Sequence, residues 1–178
     1  GLATHEIGNI SLQRTINLVD GKKSRGLPSF LAGNPGLDSG LMTWEITATA
    51  LVSENKSLCH PASADSIPTG AGKEDHVSMG GAAVRQAEEI VGNVEKVIAI
   101  ELLCATQALQ CRVDDNPQFR IPPILQPVFE LLKTHSPRLE RDRNTRDDFE
   151  RILEALVSGE LWYLVEASLD PSLNQIKP

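Results

Sequence analysis

Four ionisable side chains stand together at Lys73, Glu74, Asp75 and His76, near the end of the stretch Ser53 to Gly81, S-E-N-K-S-L-C-H-P-A-S-A-D-S-I-P-T-G-A-G-K-E-D-H-V-S-M-G-G. A carboxylate such as Glu74 can accept a hydrogen bond from an imidazole N–H or exchange a proton during an elimination; an amide cannot take up that proton. Lys73 beside it would favour the ionised form, unless it points to solvent. His76 could be a proton carrier near neutral pH, or simply pack and hydrogen-bond at the first turn of a helix. A plainer reading covers the acids as well. If a helix starts here, Glu74 and Asp75 would meet the positive end of its dipole as capping carboxylates. His60 before Pro61 and Asp65 before Ser66 read as loop-shaping groups.

The elements around this cluster set its position. Two prolines, several Ser/Thr residues and clustered glycines break regular structure, so residues 53–75 read as a central loop between two helices. The helix before it runs from about Gly40 to Ser57, with Asp38 or Ser39 as N-cap and Leu41, Trp44, Ala48, Leu51 and Val52 as its apolar stripe. The helix after it runs from about His76 to Arg112 without a proline. Unbroken, it would span roughly 50 Å. One of its faces carries Val84, Ala87, Val91, Val94 and Ile98, widened by Ile90, Val97, Ile100, Leu103 and Ala108. The run V-I-A-I-E-L-L-C-A from Val97 is apolar nearly all round, which demands cover on every side and argues for subunits packed about this rod. Glu101 interrupts it, as a structural partner for an arginine or backbone group on a neighbouring helix or as a catalytic acid.

An earlier helix is expected over the segment containing Ile7, Ile10, Ile16, Leu18 and Val19, ended by Asp20-Gly21. Gly21 to Ser39 is a long irregular connection pinned by Leu27, Phe30, Leu31 and Leu37. Beyond Arg112, prolines break the chain from Asp114 to Pro127, and a short helix follows from about Leu125 to Lys133. The charged run Arg138 to Asp148 reads as a solvated surface. An amphipathic helix from Asp147 to Val157 stops at Gly159, Leu161 to Val165 form an apolar patch, and the last residues read as a frayed tail. Two parts are expected, a helical bundle over 1–112 and a helical tail over 113–178.

Aromatic residues make up only 4% of the chain, so Leu, Ile, Val and Ala must fill the core, which suits packed helices. A formal charge of -7 argues against a nucleic-acid partner, because phosphate binding needs a basic surface. Three cysteines without framework spacing suggest reduced thiols in an intracellular protein, and neither they nor the histidines have metal-ligand spacing. No apolar run is long enough for a membrane span and no signal peptide opens the chain. Gly1 in place of Met, with a helical pattern starting almost at once, suggests a chain cut from something longer. Gly-x-Ser-x-Gly and phosphate-binding glycine loops are absent.

S-E-N-K-S-L-C-H-P-A-S-A-D-S-I-P-T, with K-E-D-H-V-S-M-G after it, G-L-P-S-F-L and N-P-G-L-D-S-G-L-M before it, and I-A-I-E-L-L-C-A-T-Q-A-L beyond, resembles the histidine branch of the aromatic amino-acid ammonia-lyase family. The resemblance covers roughly Glu6 to Arg112. It implies an all-α, long-helix bundle of the aspartase/fumarase-like ammonia-lyase fold, a homotetramer with a central helical bundle, and a small amino-acid substrate. The implied reaction takes ammonia from histidine, giving urocanate. It also implies that Glu74, in E-D-H-V-S-M, lies by the substrate side chain, where the phenylalanine and tyrosine branches carry an amide. Lys73 departs from the neutral residue usual there, and puts histidine specificity in question. Asp75 and His76 would support the loop.

The family builds its electrophile, a methylidene-imidazolone, from Ala-Ser-Gly, and that tripeptide does not occur in this sequence. The family's tyrosine base is not matched either, since Tyr163 lies outside the motif region. The resemblance is therefore to the C-terminal portion of such an enzyme, with the cofactor expected from a missing N-terminal half and the chain expected to be inactive alone. An aminomutase or a lyase for another aryl amino acid on the same scaffold is an alternative, as is a non-catalytic helical assembly subunit. A cytoplasmic location is expected.

Overall fold

The structure, a computed structural model, describes residues 1–169; the expected frayed tail lies largely outside them. Six α-helices follow in order: α1 (Leu2–Val19), α2 (Met42–Leu58), α3 (Gly80–Asp115), α4 (Gln126–His135), α5 (Arg146–Val157) and α6 (Glu160–Leu169). Among the described residues no strand forms, and isolated bridges join only Pro35 to Asp38 and Thr69 to Glu74. The expected all-α long-helix bundle is what the chain builds.

The 36-residue α3 is the axis of the molecule. At about 1.5 Å per residue it is about 54 Å long. Its helical start is Gly80 and not His76, so the expected N-terminus is four residues too early. α1 runs parallel to α3: Gly8 faces Val94, while Ser11 and Arg14 reach Glu101. α2 runs antiparallel, with Asn55 near its end bonded to Asn93 and Leu31 just ahead of it bonded to Gln107. Val97, Ile100 and Leu103 are enclosed between these helices and α5. Burying each such side chain stabilises the fold by about 1.5–3 kcal/mol.

The face that α1 buries is not the expected one. Ile7 and Ile10 are 54% and 55% exposed, and the buried positions are His5, Gly8, Ser11, Leu12, Thr15 and Val19. Small residues win here because α1 lies close on α3; a Cβ at Gly8 would come 2.9 Å from Val94 Cγ2. Similarly, Val84 and Val91 of α3 face outward while Ile90, Val94 and Val97 are buried.

In the connection from α1 to α2, Leu27 and Leu31 are buried as expected, but Leu37 is 74% exposed. Neither Asp38 nor Ser39 caps α2 by its side chain. The turn ahead of α2 is instead held from far along the chain, where Asp142 accepts Ser39 N–H at 2.7 Å and Gly40 N–H at 2.9 Å. Gln107 completes this clasp from within α3. Its amide donates to the carbonyls of Leu31 at 3.0 Å and Leu139 at 3.1 Å, and its oxygen accepts Leu139 N–H at 3.0 Å. Gly33 passes so close beneath Glu140 that a Cβ there would lie 1.9 Å from the Glu140 carbonyl oxygen.

The charged run 138–148 is thus more than a solvated surface. Besides Asp142, it contains Asp148, buried and held by Arg143 through contacts of 3.0 and 2.6 Å. Trp44 of α2 stacks on Phe149 of α5 at 4.5 Å and donates its indole N–H to Thr145 at 2.8 Å. Gly159, with φ +84, separates α5 from α6, where Trp162 and Tyr163 remain exposed.

Candidate functional site

The ionisable cluster sits on the connection from Cys59 to Met79. Residues 53–58, counted with the loop on composition, are the last turns of α2, because Gly and Pro do not appear until Pro61. Those turns are fastened to α3: Asn93 Nδ2 donates to Asn55 Oδ1 and to Glu54 Oε2, each at 3.0 Å. The loop therefore leaves from a fixed point. It passes through a 3-10 turn at Ala62–Ala64, and Ser66 Oγ accepts Val77 N–H at 2.9 Å, closing its base.

Glu74 stands at the neck of a tight turn. Thr69 N–H donates to the Glu74 carbonyl at 3.0 Å, and Glu74 N–H donates back at 3.3 Å. The chain reverses between them through Gly70, Ala71 and Gly72, at φ +60, +55 and +81. Glycine takes such angles freely, whereas Ala71 is held there by its neighbours. The Thr69 hydroxyl donates to Glu74 Oε2 at 2.5 Å, which fixes the carboxylate and leaves Oε1 without a side-chain partner. Glu74 is exposed, as are Lys73, Asp75 and His76.

The structure thus keeps the four residues together on one loop but removes two of the sequence readings. Glu74 and Asp75 do not cap α3, whose first turn holds no acidic side chain and whose N-cap position is Met79. His76 lies in a bend before the helix, not in its first turn. Lys73 forms no ion pair with Glu74; the threonine at 69 is the partner, and sequence reasoning did not single it out. The signal for it was the T-G-A-G spacing, whose glycines allow a reversal bringing Thr69 back onto Glu74.

A cavity of about 190 Å³ lies under the start of the loop, lined by Leu58, Cys59, His60, Gln86 and Ile90 among others, and Glu74 is not part of it. Among the described residues, no three His, Cys, Asp or Glu side chains are grouped to hold a metal. Cys104 and Cys111 are buried free thiols and Cys59 is half-buried. Burial first, then the Glu101 and Glu45 carboxylates, push the Cys104 thiol up to about 12. Glu101 is the structural partner of Arg14, whose guanidinium is raised above its ordinary value by that hydrogen-bonded contact. No helix is long and apolar enough to cross a membrane among the described residues.

The family profile described as aromatic amino acid lyase matches residues 1–134. The chain belongs to that family. Histidine ammonia-lyase of Deinococcus radiodurans is 49% identical over 167 residues, which are 94% of this chain and 31% of the relative. The crystal structure of histidine ammonia-lyase from Trypanosoma cruzi superposes with a TM-score of 0.85 at 46% identity, over 94% of this chain and 32% of that one. Tyrosine aminomutase from Streptomyces globisporus gives the same TM-score of 0.85 at 33% identity, again over 94% of this chain and 31% of its own. This aromatic amino acid lyase chain thus has the helical aspartase/fumarase-like fold and spans about a third of the length of the relatives it matches.

Proposed function

We propose that this chain is the C-terminal portion of an ammonia-lyase acting on L-histidine, releasing ammonia and forming urocanate. The observation that carries the reading is the Glu74 carboxylate: exposed, oriented through Oε2 by the Thr69 hydroxyl, with Oε1 open to an incoming donor. A carboxylate so placed accepts an imidazole N–H and can exchange its proton, and an aryl ring without nitrogen offers it nothing to bind. Lys73 lies at the same turn, where its cation would attract the carboxylate of an amino-acid substrate. Asp75 and His76 shape the exit of the loop toward α3. Of the tail read as 113–178, the described residues 113–169 brace the bundle formed by residues 1–112.

The family's methylidene-imidazolone electrophile comes from an Ala-Ser-Gly segment, and this sequence has none, so the residues present do not provide that group. What the chain contributes is substrate side-chain recognition and a helical wall. The electrophile and the base for the β-proton belong to another part of the enzyme, and the assembly is a homo-oligomer, a tetramer by family likeness. A cytoplasmic setting belongs to the same proposal and is supported by the three free thiols.

The test is Glu74→Gln in the active, full-length enzyme, with histidine and phenylalanine compared as substrates. Histidine kcat/KM is expected to fall about 100-fold or more while phenylalanine turnover is kept or gained. Unchanged histidine turnover would remove Glu74 from the site. The likeness to tyrosine aminomutase supports a second reading, an aminomutase on the same scaffold. A β-amino acid product in the same assay would decide for it.

A further inference from the structure

Thr69 and Glu74 are paired across an antiparallel bridge at the neck of the loop. Residues directly opposed in such a bridge project their side chains to the same face. A side chain five positions earlier therefore reaches the carboxylate, and Thr69 Oγ1 donates to Glu74 Oε2 at 2.5 Å. The two main-chain bonds between the pair, at 3.0 and 3.3 Å, use backbone atoms alone. The bridge itself does not need a hydroxyl at position 69.

Nothing outside the loop shares the task of holding Glu74. Among the described residues, every hydrogen bond made by residues 66–78 closes within that stretch. Val77 N–H meets Ser66 Oγ at the base, and in the turn Gly72 and Lys73 N–H meet the carbonyls of Thr69 and Gly70. No salt bridge reaches Glu74 among the described residues. Neither α2 nor α3 offers the carboxylate a fixed partner, and an exposed long side chain without one samples many rotamers. The turn that brings Thr69 round also keeps Ala71 at φ +55, an angle a side chain resists and a surrounding structure must enforce. Position 69 is thus where the direction of Glu74 is decided.

The chemistry of the donor matters as much as its place. A lysine or arginine there would form an ion pair and offset the carboxylate's charge. A hydroxyl is neutral, so it fixes Oε2 and leaves the negative charge to be met at Oε1 by an incoming N–H. β-Branching narrows χ1 of threonine, which aims the hydroxyl in turn. We propose that Thr69 is the positioning residue of this site: its hydroxyl turns Oε1 of Glu74 toward the substrate side chain and so sets the preference for a ring bearing an N–H over a plain aryl ring. The proposal rests on the reading of Glu74 as the group that meets the imidazole.

The test is a double-mutant cycle in the active, full-length enzyme. Thr69→Val, Glu74→Gln and the two together are assayed on histidine and phenylalanine, with Thr69→Ser beside them. Valine keeps the β-branched shape and the main-chain bridge and removes the hydroxyl. Thr69→Val is expected to lower histidine kcat/KM about 10-fold and to leave phenylalanine turnover within about 2-fold. Thr69→Ser is expected to recover most of the loss. In the Glu74→Gln background, Thr69→Val is expected to change histidine turnover by less than about 2-fold, because the hydroxyl then has no carboxylate to aim. Equal losses on both substrates, a serine variant no better than valine, or full additivity with Glu74→Gln would each overturn the positioning role, as would a Thr69→Val enzyme that does not melt with its parent. If Glu74→Gln lowers histidine turnover and Thr69→Val does not, the positioning role falls and the reading of Glu74 stands. If Glu74→Gln has no effect, both fall.

Discussion

The Glu101 carboxylate receives Arg14 Nε at 2.5 Å and Ser11 Oγ at 2.6 Å, so the acid within the apolar run of α3 is matched entirely from α1. Its side chain is 17% exposed while that of Arg14 is 58% exposed. Arg14→Ala is therefore expected to cost about 1 kcal/mol, water screening much of the loss on the arginine side. Glu101→Leu removes the acceptor of both donors and strands the buried Ser11 hydroxyl, at about 1–3 kcal/mol. Urea unfolding of the two variants checks the order, and a larger loss for Arg14→Ala would contradict it.

Gly33 and Gly36 separate two reasons for needing glycine. A Cβ at Gly33 would lie 1.9 Å from the Glu140 carbonyl, so Gly33→Ala must push two backbone segments apart, an expected loss of about 3 kcal/mol or more. Gly36 has open space around it but φ +93, and Gly36→Ala is expected to cost about 1–2 kcal/mol from backbone strain alone. Thermal melts of both variants should rank them in that order.

Gln107→Leu leaves the Leu31 and Leu139 carbonyls and the Leu139 N–H without their partner in a buried place. At about 1–3 kcal/mol for each stranded group, the variant is expected to unfold locally or entirely. Limited proteolysis should then cut within residues 29–41, which the native clasp protects. An intact native digestion pattern would show that the clasp is dispensable.

Cys104 makes stability depend on alkaline pH. In the folded chain its thiol is held up to about 12 against an ordinary 9.0, so between these values the unfolded chain gives up a proton that the folded chain keeps. The contribution is fully present below pH 9 and falls by about 1.4 kcal/mol per pH unit above it, until the folded thiol ionises. Cys104→Ala should flatten the fall in unfolding free energy above pH 9. At neutral pH, iodoacetamide is expected to modify half-buried Cys59 and leave Cys104 and Cys111 intact, read by peptide mass.

Much of the fold was legible because burial in a long helix leaves a strong pattern. Val97 to Ala105 announced α3 as a covered rod, and Glu101 as a carboxylate needing a partner, although periodicity could not say that the partner was Arg14. α1 was harder. Its isoleucines suggested one face, and the chain buries another, because close helix approach selects Gly8, Ser11 and Thr15 for size over hydrophobicity. The anchor of the turn ahead of α2 was illegible for a different reason: Asp142 is 103 positions from Ser39, and no local pattern carries a contact of that range. At the candidate site, composition located the loop, but the sequence reading did not set out its reversal through Gly70 to Gly72. The role of Thr69 emerged only once the reversal was seen in three dimensions.

The clasp at Gln107 and Asp142 has a consequence for where this chain can be divided. The family profile ends at residue 134, yet the carboxylate that holds the turn ahead of α2 and the backbone groups that satisfy Gln107 both come from residues 139–142. The profile match and the cooperative unit therefore have different borders in this polypeptide. A chain cut at the profile's border would lose the contacts that fasten the turn ahead of its second helix. Residues 139–142 are tied, through a few fixed polar contacts, to the integrity of the bundle that the profile covers.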